Sequence, residues 1–193
     1  VSLTARNTVI NFLKKDFAWN LANLDLVAGV DISASKADTD VACAALIIYS
    51  CQKRVTVYEE TEIFNISTQP YIPGFLVLDS SYSILIISKI KAQKTIIVAP
   101  ITFGGGNGIL HQNQCGLACH LGVLIDVPSI GVGKTLFYIE DWANTSKGSG
   151  DKEIKEAGDI SLLIGQSGKA WGAAVRNSKG AVNPIFVSIG HKI

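Results

Sequence analysis

Three runs of strand-type residues follow one another with only turn-length separators, and this constrains the fold more than any other feature of the chain. Leu26 to Ile32 is a short apolar run, Val41 to Tyr49 is almost wholly apolar, and Arg54 to Ile63 alternates around Val55, Val57 and Tyr58. The segments between them, Ser35-Lys36-Ala37-Asp38 and Ser50-Cys51-Gln52-Lys53, are turn-like. Connections this short leave no room for a crossover helix, so the runs predict an antiparallel meander. The rhythm then changes. A loop with two prolines over Asn65 to Pro73 leads to a helix over Leu78 to Lys91, then a strand over Thr95 to Phe103 interrupted by Pro100. A tight glycine loop over Gly104 to Gly108, a helix over Gln114 to Ile125, a short strand over Ser129 to Val132 and a further element from Thr135 to Tyr138 follow. Glu140 to Asp159 reads as a polar excursion, and Lys169 to Val175 and Pro184 to Val187 as late strands. An antiparallel start followed by strand–helix alternation is an α/β pattern. At 193 residues the chain is expected to form one domain.

Composition excludes several classes. With 48% hydrophobic and 17% charged residues the chain can bury a sizeable core, so global disorder is ruled out. Lys plus Arg number 17 and Asp plus Glu 16, a net +1, so nucleic-acid binding would need a local patch rather than a field over the whole protein. Thr95 to Ile125 has no charged residue, yet Pro100, Gly104 to Gly106, Asn107 and Gln112 to Gln114 make it no lipid-facing helix. Val1 to Asp25 reads as an amphipathic helix broken by Lys14-Lys15-Asp16, without the apolar core of a signal peptide. Met is absent throughout, so a native N-terminus is expected to be missing. The chain reads as intracellular. Cys115, Cys119 and His120 could hint at zinc, but no fourth ligand is suitably spaced, and Cys43, Cys51, Cys115 and Cys119 read as buried thiols rather than a disulfide framework.

Four features bear on chemistry, each with a bland alternative. Asp31 interrupts the apolar strand Val27 to Ile32; a carboxylate there is costly unless it is paired, binds backbone amides in a turn, or meets a cation such as Mg²⁺. Gly131 to Thr135 resembles the tail of a P-loop, but Pro128 stands where that motif needs a glycine. Lys134 is left as a phosphate contact or a surface lysine. Gly104 to Gly108 can offer backbone amides to a ligand or be a flexible turn. Tyr71, between Pro70 and Pro73, sits on a stiffened backbone that suits wedging into stacked bases, or belongs to an ordinary packed turn.

Together these stretches resemble the endonuclease V family, which nicks DNA or RNA near deaminated purines such as inosine. Val27 to Ser33, Pro70 to Leu76, Gly106 to Lys134 and Ser188 to Ile193 come in family order, and Gly116-Leu-Ala-Cys-His-Leu-Gly-Val-Leu124 with Pro128-Ser-Ile-Gly-Val-Gly-Lys134 is especially specific and eukaryotic-like. The resemblance spans nearly the whole chain. It implies an RNase H-like fold: a mixed five-stranded sheet flanked by helices, in a single domain over 1–193 that lacks the family's final helix.

By the same resemblance, Asp31 falls on the first metal-binding aspartate. Pro70, Tyr71, Ile72 and Pro73 fall on the base-separating wedge, and Gly106, Asn107 and Gly108 on the cradle for the flipped base. His111 falls on a residue near the substrate, Lys134 beside the scissile phosphate, and His191 on a late active-site histidine. Two family carboxylates are replaced. The glutamate position holds Ser80, with Asp79 beside it as a substitute one residue out of register, and the second aspartate position holds Gly105. The implied activity is a Mg²⁺-dependent or Mn²⁺-dependent endonuclease with a degraded metal site, acting on inosine-containing DNA or RNA. A monomer in cytoplasm or nucleus, without a membrane partner, is implied as well. The alternatives are a weak or inactive nucleic-acid-binding homologue and a truncated gene product.

Overall fold

The computed structural model describes residues 24–35, 37, 40–65, 102–136, 139 and 154–192. Eight strands and one helix are formed by these residues: β1 Leu26–Ala34, β2 Val41–Ser50, β3 Val55–Asn65, β4 Thr102–Gly105, α1 Leu117–Ile125, β5 Ser129–Gly133, β6 Ile160–Ile164, β7 Ala170–Val175 and β8 Ile185–His191. They build one sheet in the order β3-β2-β1-β4-β5-β8-β7-β6. The expected meander is β1–β3: β1 runs antiparallel to β2, and β2 to β3. β4 adds parallel to β1, and β5 parallel to β4. These five strands are the mixed sheet that the resemblance implies. Three more, β8, β7 and β6, extend it antiparallel beyond β5, so the sheet has eight strands rather than five.

Alternation decides the faces of the meander. In β2, Ala42, Ala44, Leu46, Ile48 and Ser50 are buried while the intervening residues are not, which is the period of two that a pleated strand imposes. Val30, Leu46 and Ile48 pack against Leu121 and Ile125 of α1. A second cluster under the extension joins Leu110, Ile139, Ile154, Leu163, Trp171, Ala174 and Phe186. Phe186 pairs with Gly133, and Gly104 with Gly131. A Cβ on Gly104 would rest 3.3 Å from that of Ala118 in α1. Cross-strand partners share a face, so both clusters lie on the face that α1 covers.

The turn after β2 is pinned from the start of β1. Ser50, 1% exposed, donates its hydroxyl to Asp25 Oδ1 at 2.6 Å, and the same oxygen accepts from the Gln52 amide at 3.1 Å. That hydroxyl, then the Gln52 amide, lowers the Asp25 carboxyl below its usual range. Cys51, expected to be buried, is exposed because it sits in this turn, and of the other thiols Cys119 is buried while Cys43 and Cys115 are half-buried. Gly104 and Gly105, expected in a loop, belong to β4. The element expected from Thr135 is not seen at its start, since residues 134–136 form neither strand nor helix. β6 had no counterpart among the expected elements. The expected helices over Val1 to Asp25 and Leu78 to Lys91 lie essentially outside the described residues.

Candidate functional site

β1, β4 and β5 are parallel, so their C-terminal ends meet at one edge of the sheet. Crevices outside the carboxyl ends of such strands are where open α/β sheets bind ligands. Asp31 lies toward this end of β1, and its side chain is exposed. Gly105 ends β4 beside it. A Cβ on Gly105 would overlap Asp31 Oδ1 and stand 2.5 Å from Cγ and 3.0 Å from Cβ. The Asp31 carboxyl therefore lies in the space that a side chain at 105 would claim. Gly104 and Gly105 point to opposite faces, as consecutive strand residues must. Asp31 is accordingly on the face away from α1. Lys134 follows β5 at the same edge and is exposed.

The loop from Gly106 is held rather than loose. Gly106 has φ +128, a conformation that glycine adopts without strain, and its amide donates to Val132 O at 2.9 Å. Gly108 donates to the Ser188 hydroxyl at 3.0 Å, and Leu110 shares that oxygen at 3.4 Å. The Gly116 amide donates to Gly108 O at 3.0 Å, and Ala118 to Asn107 O at 3.3 Å, which ties the loop to the start of α1. No side chain among the described residues caps that helix. A Cβ on Gly116 would stand 2.7 Å from the Asn107 carbonyl carbon; Gln114 has φ +53, outside the helical region, and α1 starts at Leu117 rather than at Gln114. Asn107 is 6% exposed and its Oδ1 has no hydrogen-bond partner among the described residues, with the amide packed against the backbone of Gly133. Asn107 thereby contacts the strand end that leads into Lys134. The Ser188 hydroxyl is a support that sequence reasoning did not single out; a serine inside the apolar run of β8 was the available signal.

His111 accepts from the Asn113 amide through Nδ1 at 3.2 Å. Burial, with His120 second, pulls its imidazole below the usual range, so it is neutral at pH 7.

His191 is not brought to this edge. β8 runs antiparallel to β5, so its last residues return to the opposite end, where His191 pairs with Ser129 at the start of β5. Its Cβ faces Gly122 of α1, placing it on the other face of the sheet from Asp31 as well. There Nε2 stands 3.6 Å from Asp126 Oδ1, and Lys192 forms an ion pair with the same oxygen. The expectation that Asp31 and His191 share a cleft is corrected by this geometry: the two are separated by strand polarity and by the sheet. Pro70, Tyr71, Ile72, Pro73, Asp79 and Ser80 lie outside the described residues.

The donor set tests the implied cation. Among the described residues no three His, Cys, Asp or Glu side chains gather as a metal site. Asp31 is the one carboxylate that β1, β4 and β5 supply. These donors do not fit a resident Mg²⁺ held by the protein alone.

Among known proteins, the family model for endonuclease V matches residues 11–193. Mouse endonuclease V is 34% identical over 182 residues, which cover 91% of this chain and 54% of the relative. Human endonuclease V is 32% identical over 185 residues, covering 91% and 64%. The chain thus spans between about half and two thirds of these two relatives. Endonuclease V of Rippkaea orientalis is 36% identical over 196 residues, covering 100% of this chain and 77% of the relative. Among solved structures, the catalytic domain of human endonuclease V superposes with a TM-score of 0.79 at 28% identity, covering 98% of this chain and 80% of that one. Ciona intestinalis endonuclease V, in complex with a 23mer DNA containing an inosine followed by a ribo-adenosine, gives 0.76 at 27% identity, covering 98% and 82%. The fold is RNase H-like, with the eight-stranded sheet described above.

Proposed function

The chain belongs to the endonuclease V family, and from that premise we propose that it engages DNA or RNA containing inosine or another deaminated purine and nicks it feebly. The carrying observation is Asp31 set against Gly105 at the C-terminal edge of β1 and β4, the edge at which exposed Lys134 follows β5. Positions 31 and 105 are far apart in sequence, and the resemblance assigns both to one acidic site. In this reading Lys134 contacts a backbone phosphate, the loop Gly106-Asn107-Gly108 offers a firmly held surface to the base, and Tyr71, between Pro70 and Pro73, wedges the stack. Neutral His111 stands beside the loop as a hydrogen-bonding group. His191 has no part in the site. Residues 1–193 act as one domain and as a monomer, in the cytoplasm or nucleus where such nucleic acid is found. Among the described residues no helix is long and apolar enough to cross a membrane.

Feeble turnover follows from the donor set. Phosphodiester hydrolysis by this kind of site draws on a Mg²⁺ or Mn²⁺ ion to stabilise charge on the phosphate, and Asp31, the one carboxylate that the described strands β1, β4 and β5 supply, holds such an ion poorly by itself. The same glycine favours a second reading, a binder of deaminated nucleic acid without turnover. Nicking of end-labelled, inosine-containing DNA and RNA strands over Mg²⁺ and Mn²⁺ titrations separates the two. Slow nicking that rises in the Gly105→Asp, Ser80→Glu double variant is the expected result. Equal binding of inosine-containing and unmodified strands would refute the substrate assignment.

A further inference from the structure

We propose that the sheet edge carrying Lys134 continues as a one-sided track for the phosphodiester backbone of a single strand, running over the ends of β8, β7 and β6 and not over the meander. This rests on the reading of Lys134 as a phosphate contact, and it names the surface that holds the strand beyond the base. A net charge of +1 leaves no general field to attract a polyanion, so binding requires a local row of cations. Strand register supplies one. Gly133, which precedes Lys134, pairs with Phe186 near the start of β8. Ile185 pairs with Val175, which precedes Arg176, and Val175 pairs with Ile160 at the start of β6. The end of β5, the start of β8, the end of β7 and the start of β6 therefore lie side by side. With strands about 4.8 Å apart they extend over about 15 Å, the length of about four nucleotides at a rise of about 3.4 Å.

Arg176 is fixed at this edge. Its amide donates to Asp159 O at 3.0 Å, its carbonyl accepts from Gly158 N at 2.8 Å, and its Nη1 donates to Ala181 O at 2.5 Å across the turn that leads back to β8. Lys179 lies in that turn, and Lys155 in the turn ahead of β6. Lys134, Lys155 and Lys179 are exposed and form no ion pair among the described residues. The carboxylates beside them are Glu156 and Asp159, and Asp159 is held on its own turn, where Oδ2 accepts from the Glu156 and Lys155 amides at 2.7 and 2.9 Å. Four cations thus face two carboxylates. Beyond β4 the same edge has the opposite sign: the described charged residues toward the corresponding ends of β1, β2 and β3 are Asp31, Asp40 and Glu62. A strand engaged at Lys134 is drawn over the extension and repelled from the meander. At the other end of the sheet Lys192 is paired with Asp126 and Lys169 lies 3.8 Å from the Trp171 ring centre. Contacts to phosphates carry no sequence information, so the track holds any strand that the base site has selected.

The test measures binding in EDTA, so that no strand is nicked. Anisotropy over a KCl series compares a short labelled inosine-containing strand with the same strand lengthened on its 5′ side or on its 3′ side, as DNA and as RNA. Only one of the two extensions is expected to raise affinity, by about tenfold at low salt, and to steepen the salt slope of log K by about two, as three further phosphate contacts at about 0.7 each require. Lys155→Ala with Lys179→Ala is expected to lose most of that gain and about 1.4 of the slope. Lys155→Glu with Lys179→Glu is expected to make the same extension weaken binding. Both double variants are expected to melt with the parent, since the two lysines are exposed. Lys53→Ala, in the turn at the opposite end of the sheet, is expected to keep the full gain. Equal gains from both extensions, or a gain that survives charge reversal at 155 and 179, overturn the track and leave inosine recognition intact. A short strand bound no better with inosine than without it overturns the base reading, while a one-sided gain lost in the lysine variants still upholds the track. Failure of the parent to bind any strand overturns both.

Discussion

Alanine at Gly108 and alanine at Gly105 are expected to have opposite consequences, although both Cβ atoms would land on an occupied position. At 108 the occupant is backbone: the added carbon would overlap Ile189 O and lie 2.6 Å from its carbonyl carbon and 3.0 Å from Ser188 O. β8 cannot yield there without loosening Ile109 N to Ile189 O, 2.7 Å, and Gly108 N to the Ser188 hydroxyl, 3.0 Å. Two hydrogen bonds at about 1 kcal/mol each and about 1–3 kcal/mol of overpacking, less about 0.4–1 kcal/mol from the stiffer unfolded chain, leave a loss of about 3 kcal/mol. For a chain of this size that lowers Tm by about 6–12 °C. At 105 the occupant is the tip of exposed Asp31. Its rotation costs at most about 0.5–1.5 kcal/mol, which the same unfolded-state gain offsets, so Tm is expected to stay within about 3 °C of the parent. Differential scanning calorimetry and urea unfolding of both variants measure the contrast. If Gly105→Ala were as damaging as Gly108→Ala, Asp31 would be fixed in place and the reasoning that its exposed carboxyl can rotate aside would be wrong. A neutral Gly108→Ala would refute the close seating of the loop on β8.

Lys134→Ala is expected to weaken binding of inosine-containing and unmodified strands alike and to reduce the salt slope of log K by about one, checked by anisotropy over a KCl series. Burial raises the Cys119 thiol to about 11, so at pH 8 its thiolate is about one part in a thousand; mass spectrometry after brief iodoacetamide treatment should find exposed Cys51 alkylated and Cys119 spared. Lys192 first, and His191 second, lower the Asp126 carboxyl below its ordinary 3.8. A lowered folded-state value stabilises above the unfolded value and is lost as pH falls through the folded one, so Asp126→Asn should narrow the loss of Tm on acidification below about pH 4 and leave its course above about pH 5 unchanged.

The meander was legible because its signals are local. Alternation and turn residues placed β1, β2 and β3 to within about two residues, the ordinary uncertainty of strand ends. Asp31 stood out as a carboxylate in an apolar strand, and the structure sets it against Gly105. The rest depended on pairing between distant segments. Ile160 to Ile164 is a short run without clear alternation, and only its ladder with β7 makes it a strand. His191 was misplaced for a related reason: a motif identifies a residue but not the direction of the strand that bears it, and the antiparallel entry of β8 sends its end away from Asp31. Gly104 and Gly105 read as a turn because glycine is frequent in turns, whereas here both belong to β4, Gly104 close against Ala118 of α1 and Gly105 against exposed Asp31.

β8 has a consequence for the order in which the molecule can assemble. It is the last of the described strands in sequence, yet it lies between β5 and β7 and pairs with both. On the ribosome the meander and the parallel pair can form while β6 and β7 make a hairpin that has no strand to join. Until Ile185–His191 emerges, β5 and β7 are open edges, templates for pairing with other chains, and the glycine loop lacks the Ser188 hydroxyl that holds two of its amides. Closure of the sheet and fixing of the loop are thus one late event, and a nascent chain stalled before β8 would carry both hazards at once.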